Sequence, residues 1–241
     1  MKKIESISEL RRICQPEYEQ VRYNPYYRYY RRFFRLFSIY LTRLLLKINT
    51  PANLISIFGI LFGIIGSIYF YLSNFLVGSI ILQLWLLMDT LDGEVARYYY
   101  SKHKQKNYLI KGELLDLNSH HLIHSLIFIG FSLGLYNLTK NINMIYLGII
   151  ALFSLLLNEL IDLNKFKVLF YQNLRSDTNK IKKNKRLIKK LMFIYTFPSI
   201  VNIILIAALF NKVNVILYFY GITFPIIALI KFFINNFLRK W

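Results

Sequence analysis

Six stretches of about twenty mostly apolar residues punctuate this chain, and that is the length a helix needs to cross a bilayer. They run roughly over 53–72, 75–97, 113–136, 143–162, 190–210 and 214–235. Lipid offers backbone polar groups no partner, so such spans must be helical. The expected fold is an all-α integral membrane bundle of six transmembrane helices. Composition agrees: 56% of the 241 residues are hydrophobic and 17% aromatic, and mean hydropathy is +0.39. Soluble domains sit nearer about 45–50% apolar. Pro198 falls inside the fifth stretch and predicts a kink there.

Charge sets the expected orientation. The net charge is +19, although only 18% of residues are charged. Of the 31 Lys and Arg, only Lys140 and Lys212 fall in the short connections that follow the first, third and fifth stretches. The rest lie in or beside the N-terminal 50 residues, the segments 98–111 and 164–190, and the C-terminal tail. The excess of Lys and Arg on cytoplasmic loops then places both termini in the cytoplasm. Nucleic-acid binding is the other chemistry a strongly basic chain can serve. Here the basic residues flank apolar spans and form no separate soluble domain, so no nucleic-acid partner is expected. Cys14 is the only cysteine, which rules out an intramolecular disulfide. The first 25 residues are polar and of mixed charge, without the apolar core of a signal peptide. Abundant Ile, Asn and Lys point to an AT-rich genome, hence to the inner membrane of a prokaryote.

Residues 1–25 read as a polar segment, 26–48 as an amphipathic helix and 49–241 as the membrane domain. In residues 26–47, Arg28, Arg31, Arg32 and Arg35 recur at i, i+3, i+4 and i+7, while Phe33, Phe34, Phe37 and Leu41 cover much of the rest. That pattern fits a helix lying on an anionic leaflet in contact with membrane lipids. A seventh span is the other reading, and four arginines so close together argue against it. The run KIKKNKRLIKK at 180–190 is a second basic interfacial cluster.

The second stretch ends in LLMDTLDGEVAR, residues 86–97, with Asp89, Asp92 and Glu94 at its edge. A carboxylate at membrane depth costs roughly 2.5–3.5 kcal/mol or more, so it usually marks a site. The second span runs toward the cytoplasm and the third returns. Asp89 and Asp92 share a face at i, i+3, and Asp116 and His120 share one at i, i+4. Measured from the expected ends at Arg97 and Gly112, they sit at matching depths of about 6–12 Å. Two antiparallel helices thus aim three carboxylates and an imidazole at one point. Carboxylates so close repel unless a cation joins them, and a hard divalent ion such as Mg²⁺ suits them together with phosphate oxygens.

These residues resemble the signature of the CDP-alcohol phosphotransferases, D-x2-D-G-x2-A-R followed by G-x3-D-x3-D. Here it reads Asp89-Thr-Leu-Asp92-Gly93-Glu-Val-Ala96-Arg97, then Gly112-Glu-Leu-Leu-Asp116-Leu-Asn-Ser-His120. TPANLIS at 50–56, with Asn53, is similar to a T-P-N segment that often opens the family's first helix. The resemblance spans roughly residues 25–235. It implies a six-helix core with cytoplasmic termini, and transfer of a phosphoalcohol group from a CDP-linked alcohol, lipid or polyol, to an acceptor alcohol with release of CMP. It also implies a divalent metal, Mg²⁺ or Mn²⁺, held by Asp89, Asp92 and Asp116. Gly93, Ala96 and Gly112 would leave room for the nucleotide, Arg97 would pair with phosphate, and Asn53 joins the substrate-binding set. The family is often dimeric, so a homodimer is implied too. For the glycines and Ala96, close helix packing is an equal alternative.

Two departures stand out. The spacer between Arg97 and Gly112 is longer than the family's and rich in Tyr and Lys. The family's last acid, which ligates metal and takes the proton from the attacking hydroxyl, is His120 here, and imidazole can do either job. His124 shares a face with His120 one turn deeper, whereas His121 points elsewhere and His103 belongs to the basic loop. Glu159 and Asp162 end the fourth stretch as solvated residues or as part of an acceptor site. Two other readings stay open: an inactive relative that binds CDP-alcohol or metal, and a transporter. The latter needs polar residues across the whole span, and these cluster at one end.

Overall fold

A computed structural model describes residues 5–16, 25–103, 106–171 and 195–238, and among them there is no strand. The helices are α1 (Ile7–Cys14), α2 (Pro25–Lys47), α3 (Ala52–Tyr71), α4 (Phe75–His103), α5 (Lys106–Thr139), α6 (Asn143–Tyr171), α7 (Phe197–Leu209) and α8 (Val213–Phe233), with a π-helical turn over Ile234–Leu238. Five of them, α3 to α6 and α8, are long and apolar enough to cross a membrane. The chain is an all-helical integral membrane protein. The described part of the fifth expected span is α7, an apolar helix of 13 residues. The start of that span, at 191–194, lies outside the described residues, as does the basic run at 180–190. Pro198 does not kink a helix interior: it occupies the first turn of α7, where its missing N–H costs nothing.

The short connections form as expected. Ser73, Lys140 and Asn211 each take a positive φ of 53° to 63° just past a helix end. The chain reverses there through backbone bonds, Asn74 N–H to the Tyr69 carbonyl and Lys212 N–H to the Ala207 carbonyl. The opposite end differs from the expectation of a loop over 98–111. Residues 98–103 continue α4, and 106–111 open α5 ahead of Gly112. The two helices are lengthened equally, so the long spacer leaves the register between Asp89 and Asp116 intact.

Helix α3 packs on α4 and α5, α5 on α6, α6 on α8, and α4 on α7. Lipid supplies no hydrophobic drive for this, so close fit must. Gly130 and Gly134 of α5 lie so near α3 that an added Cβ would fall 2.3 Å from the Ser67 carbonyl oxygen and 1.9 Å from that of Phe70. Phe70, Phe75 and Phe131 interlock beside them with ring centroids 5.5–5.8 Å apart. A second cluster, at the other end of the bundle, joins α1, α2, α3 and α4 through Leu10, Cys14, Ile39, Leu46, Ala52, Ile55, Leu91 and Val95.

The N-terminal segment is therefore more than polar chain, because α1 buries Leu10 and Cys14 completely. Helix α2 is amphipathic in an unexpected sense. Phe37, Tyr40 and Leu44 are exposed, while Arg35, Ser38, Ile39, Thr42 and Leu46 face inward. The side chains of Arg28, Arg31 and Arg32 lie outside the described residues.

Candidate metal and substrate site

Helices α4 and α5 meet where their polar residues coincide. His120 Nε2 lies 2.8 Å from Asp89 Oδ1 and 3.2 Å from Asp116 Oδ1. One donor atom from each of the three residues falls within 4.8 Å of the others. Two carboxylates and an imidazole at that spacing are a donor set for a divalent ion, and the residues fit one. Asp92 is more deeply placed, 9% exposed, and accepts a hydrogen bond of 2.6 Å from Ser56 Oγ of α3. It stands beside the cluster, one turn along α4 from Asp89, outside the trio itself.

A cleft opens next to Asp89, lined by Arg35, Asp89, Thr90, Gly93 and Arg97. Gly93 lines this cleft. The nearest atoms to a Cβ there would be those of the Arg97 guanidinium, the first at 3.3 Å. Arg97 Nε donates to the Cys14 carbonyl at 2.6 Å, so α1 holds this side chain in place. Ala96 packs against the α1–α4 apolar cluster. Gly112 lies in the first part of α5, and its surroundings are outside the described residues. Asn53 is exposed on the first turn of α3 and is not among the residues lining the cleft. Ser56, one turn further along, is the residue of that segment that reaches the acids.

Glu94 is fully buried. Its carboxylate accepts from Gln15 Nε2 (2.8 Å) and Ser38 Oγ (2.6 Å) at one oxygen, and from Thr42 Oγ1 (2.6 Å) at the other. Its burial cost is met by three donors, all from the N-terminal helices.

A layer of histidines lies behind the trio. His124 packs edge-on against His120, with centroids 5.5 Å apart, and Trp85 covers both rings. Glu159 of α6 reaches His124 Nδ1 at 3.1 Å and His121 Nδ1 at 2.6 Å. His121, expected to point elsewhere, thus shares a carboxylate with His124, and Glu159 is engaged with both. Asp162 pairs with Lys231 of α8 at 2.8 Å.

No family model matches the sequence, and no curated protein matches it. Among solved structures, the chain is similar to a phosphatidylinositol phosphate synthase from Mycobacterium tuberculosis, crystallised with CDP-DAG bound. The TM-score is 0.60 at 16% sequence identity, over 81% of this chain and 92% of that one. The chain has the fold of that synthase, and the resemblance carried by Asp89 to His120 extends to the architecture.

Proposed function

We propose that this protein is a CDP-alcohol phosphotransferase working at the cytoplasmic face of a prokaryotic inner membrane, with both termini in the cytoplasm. The observation that carries the reading is the convergence of Asp89, Asp116 and His120 at one end of a fold shared with a synthase solved with CDP-DAG. An acceptor hydroxyl attacks the phosphorus of the donor distal to cytidine. A new O–P bond forms, the pyrophosphate bridge breaks, and CMP leaves with the bridging oxygen. The residues that would hold the divalent metal, Mg²⁺ or Mn²⁺, are Asp89, Asp92, Asp116 and His120. Such an ion supplies charge neutralisation to a pyrophosphate under in-line displacement.

The side chains do the rest. Arg97, fixed by the Cys14 carbonyl, pairs its guanidinium with phosphate oxygens. Gly93 leaves the cleft floor open to the nucleotide. His120 takes the proton from the attacking hydroxyl. Its two roles compete, because Nε2 has one lone pair and that nitrogen faces both carboxylates. A carboxylate at 120 has two oxygens and escapes the competition.

The same contacts favour a second reading, an inactive relative that binds CDP-alcohol. An imidazolium bonded to Asp89 and Asp116 satisfies both acids without a cation.

The test is CMP release by purified protein in detergent, with Mg²⁺ or Mn²⁺, CDP-diacylglycerol and a pool of alcohols. Release that stops in Asp92→Asn and changes its pH or metal dependence in His120→Asp supports the transferase. CDP binding without release, with activity gained in His120→Asp, sinks it in favour of the binding relative.

A further inference from the structure

Arg35 belongs to a segment whose arginines suit a lipid surface, yet it is 7% exposed and lines the cleft with Asp89, Gly93 and Arg97. The backbone around it is gripped. Its carbonyl accepts from Gln15 Nε2 at 3.0 Å and from Arg11 Nη1 at 3.4 Å, and the next carbonyl, of Leu36, accepts from Arg11 Nη2 at 3.1 Å. The same Gln15 amide donates to Glu94, which also takes Ser38 and Thr42 of α2. Helices α1 and α2 are thereby pinned to the turn of α4 that carries Gly93 and Arg97.

We propose that Arg35 binds the diphosphate of the substrate opposite Arg97, and that Gln15 and Glu94 are positioning residues that hold it there. Two guanidiniums lining one cleft with a glycine can serve a diphosphate, which accepts paired N–H donors from each. Asp89 on the cleft wall repels an anion, so guanidiniums beside it add to the positive charge that a divalent ion would bring. Arg97 belongs to the α4 motif, and Arg35 adds a second guanidinium from an N-terminal segment folded back onto it. This rests on the reading of the cleft as the nucleotide site.

The experiment is titration calorimetry on the full chain in detergent with Mg²⁺, using CDP, cytidine and inorganic pyrophosphate as probes. The proteins are the wild type, Arg35→Gln, Arg35→Lys, Gln15→Leu and the Arg35→Gln/Gln15→Leu double variant. Arg35→Gln is expected to weaken CDP and pyrophosphate roughly tenfold to a hundredfold while cytidine is unchanged. Arg35→Lys recovers part of that loss. Gln15→Leu by itself weakens CDP and pyrophosphate but adds nothing in the double variant, which a merely structural role would not produce. Unchanged CDP affinity in Arg35→Gln, or equal loss for CDP and cytidine, overturns the assignment. So does a wild type that binds neither CDP nor pyrophosphate. If the wild type releases no CMP but pyrophosphate binding still depends on Arg35, the transferase reading fails and the anion site stands. If CMP release is intact in both wild type and Arg35→Gln with unchanged KM, the site fails and the transferase stands.

Discussion

The two ends of the helical bundle are held together by different physics. At one end, α3 and α5 touch through bare backbone: Gly130 and Gly134 lie against the carbonyls of Ser67 and Phe70, with interlocked phenylalanines alongside. At the other, α1 to α6 are joined by directed bonds, from Ser56 to Asp92, three donors to Glu94, His120 to two aspartates and two histidines to Glu159. Steric contact tolerates almost any apolar residue of the right size and no larger one. A polar network demands particular atoms at particular distances, and leaves atoms that can turn toward a substrate. The rigid end can therefore carry the fold while the polar end carries the chemistry. Stability and activity should then respond to different substitutions.

The largest stability effect is expected at the packed end. In Gly134→Ala the new methyl lies 1.9 Å from a carbonyl oxygen, and backbone cannot swing aside as a long side chain can. Helices α3 and α5 must part, at a cost of about 3 kcal/mol or more. Thermal unfolding in detergent should show a large drop in Tm or loss of monodisperse protein. A Tm within a degree or two of wild type breaks the comparison at its firmest point. The next effect belongs to the tie between the N-terminal helices and α4. Glu94→Gln replaces one oxygen of a buried acceptor of three donors with an NH₂ group, and should cost about 1.5–3 kcal/mol. Proteolysis should then cut first near residues 15–25, because α1 and α2 are what the carboxylate holds. Uniform loss of stability would show that the two ends unfold as one.

The sequence carried five of the six expected spans and the trio for a common reason. Both depend on local spacing: apolar runs of bilayer length, and polar residues at i, i+3 and i, i+4 on two helices adjacent in the chain. The equal lengthening of α4 and α5 was not legible, because a Lys-rich stretch reads as loop whether or not the helix continues. Arg35 was misplaced because periodicity gives the faces of a helix but not its rotation, and α2 turns Ser38 and Thr42 inward along with it. Glu94 was indistinguishable from its neighbours, since its partners Gln15, Ser38 and Thr42 stand far from it along the chain. The His121–Glu159–His124 contact was hidden for the same reason, as it needs the packing of α5 on α6. Local pattern found the acids, and only tertiary contact separated those aimed at the cleft from the one that ties helices together.

Smaller effects sharpen the contrast. Glu159→Gln leaves both histidine nitrogens a neutral partner at the same place, so His124 should keep packing on His120 with less orientation. A loss of activity of about tenfold, at the lower edge of what outer partners of metal ligands contribute, is expected. CMP release and Mn²⁺ affinity measure it, and an unchanged pair of values removes Glu159 from the site. The smallest stability effect should be Gly93→Ala, the counterpart of Gly134→Ala. Both change a helical glycine to the better helix former, which alone favours alanine by up to about 1 kcal/mol. At Gly134 that gain is overwhelmed by backbone contact. At Gly93 the nearest atom is an Arg97 Nη at 3.3 Å, the end of a side chain that can yield by a few tenths of an ångström. The Tm of Gly93→Ala should therefore match or slightly exceed that of the wild type, while the methyl occupies cleft floor and raises the KM for CDP-diacylglycerol. A stable protein with an unchanged KM would place the nucleotide away from Gly93. A destabilised one would mean that this turn of α4 packs as tightly as the far end, and the division between the two ends would be lost.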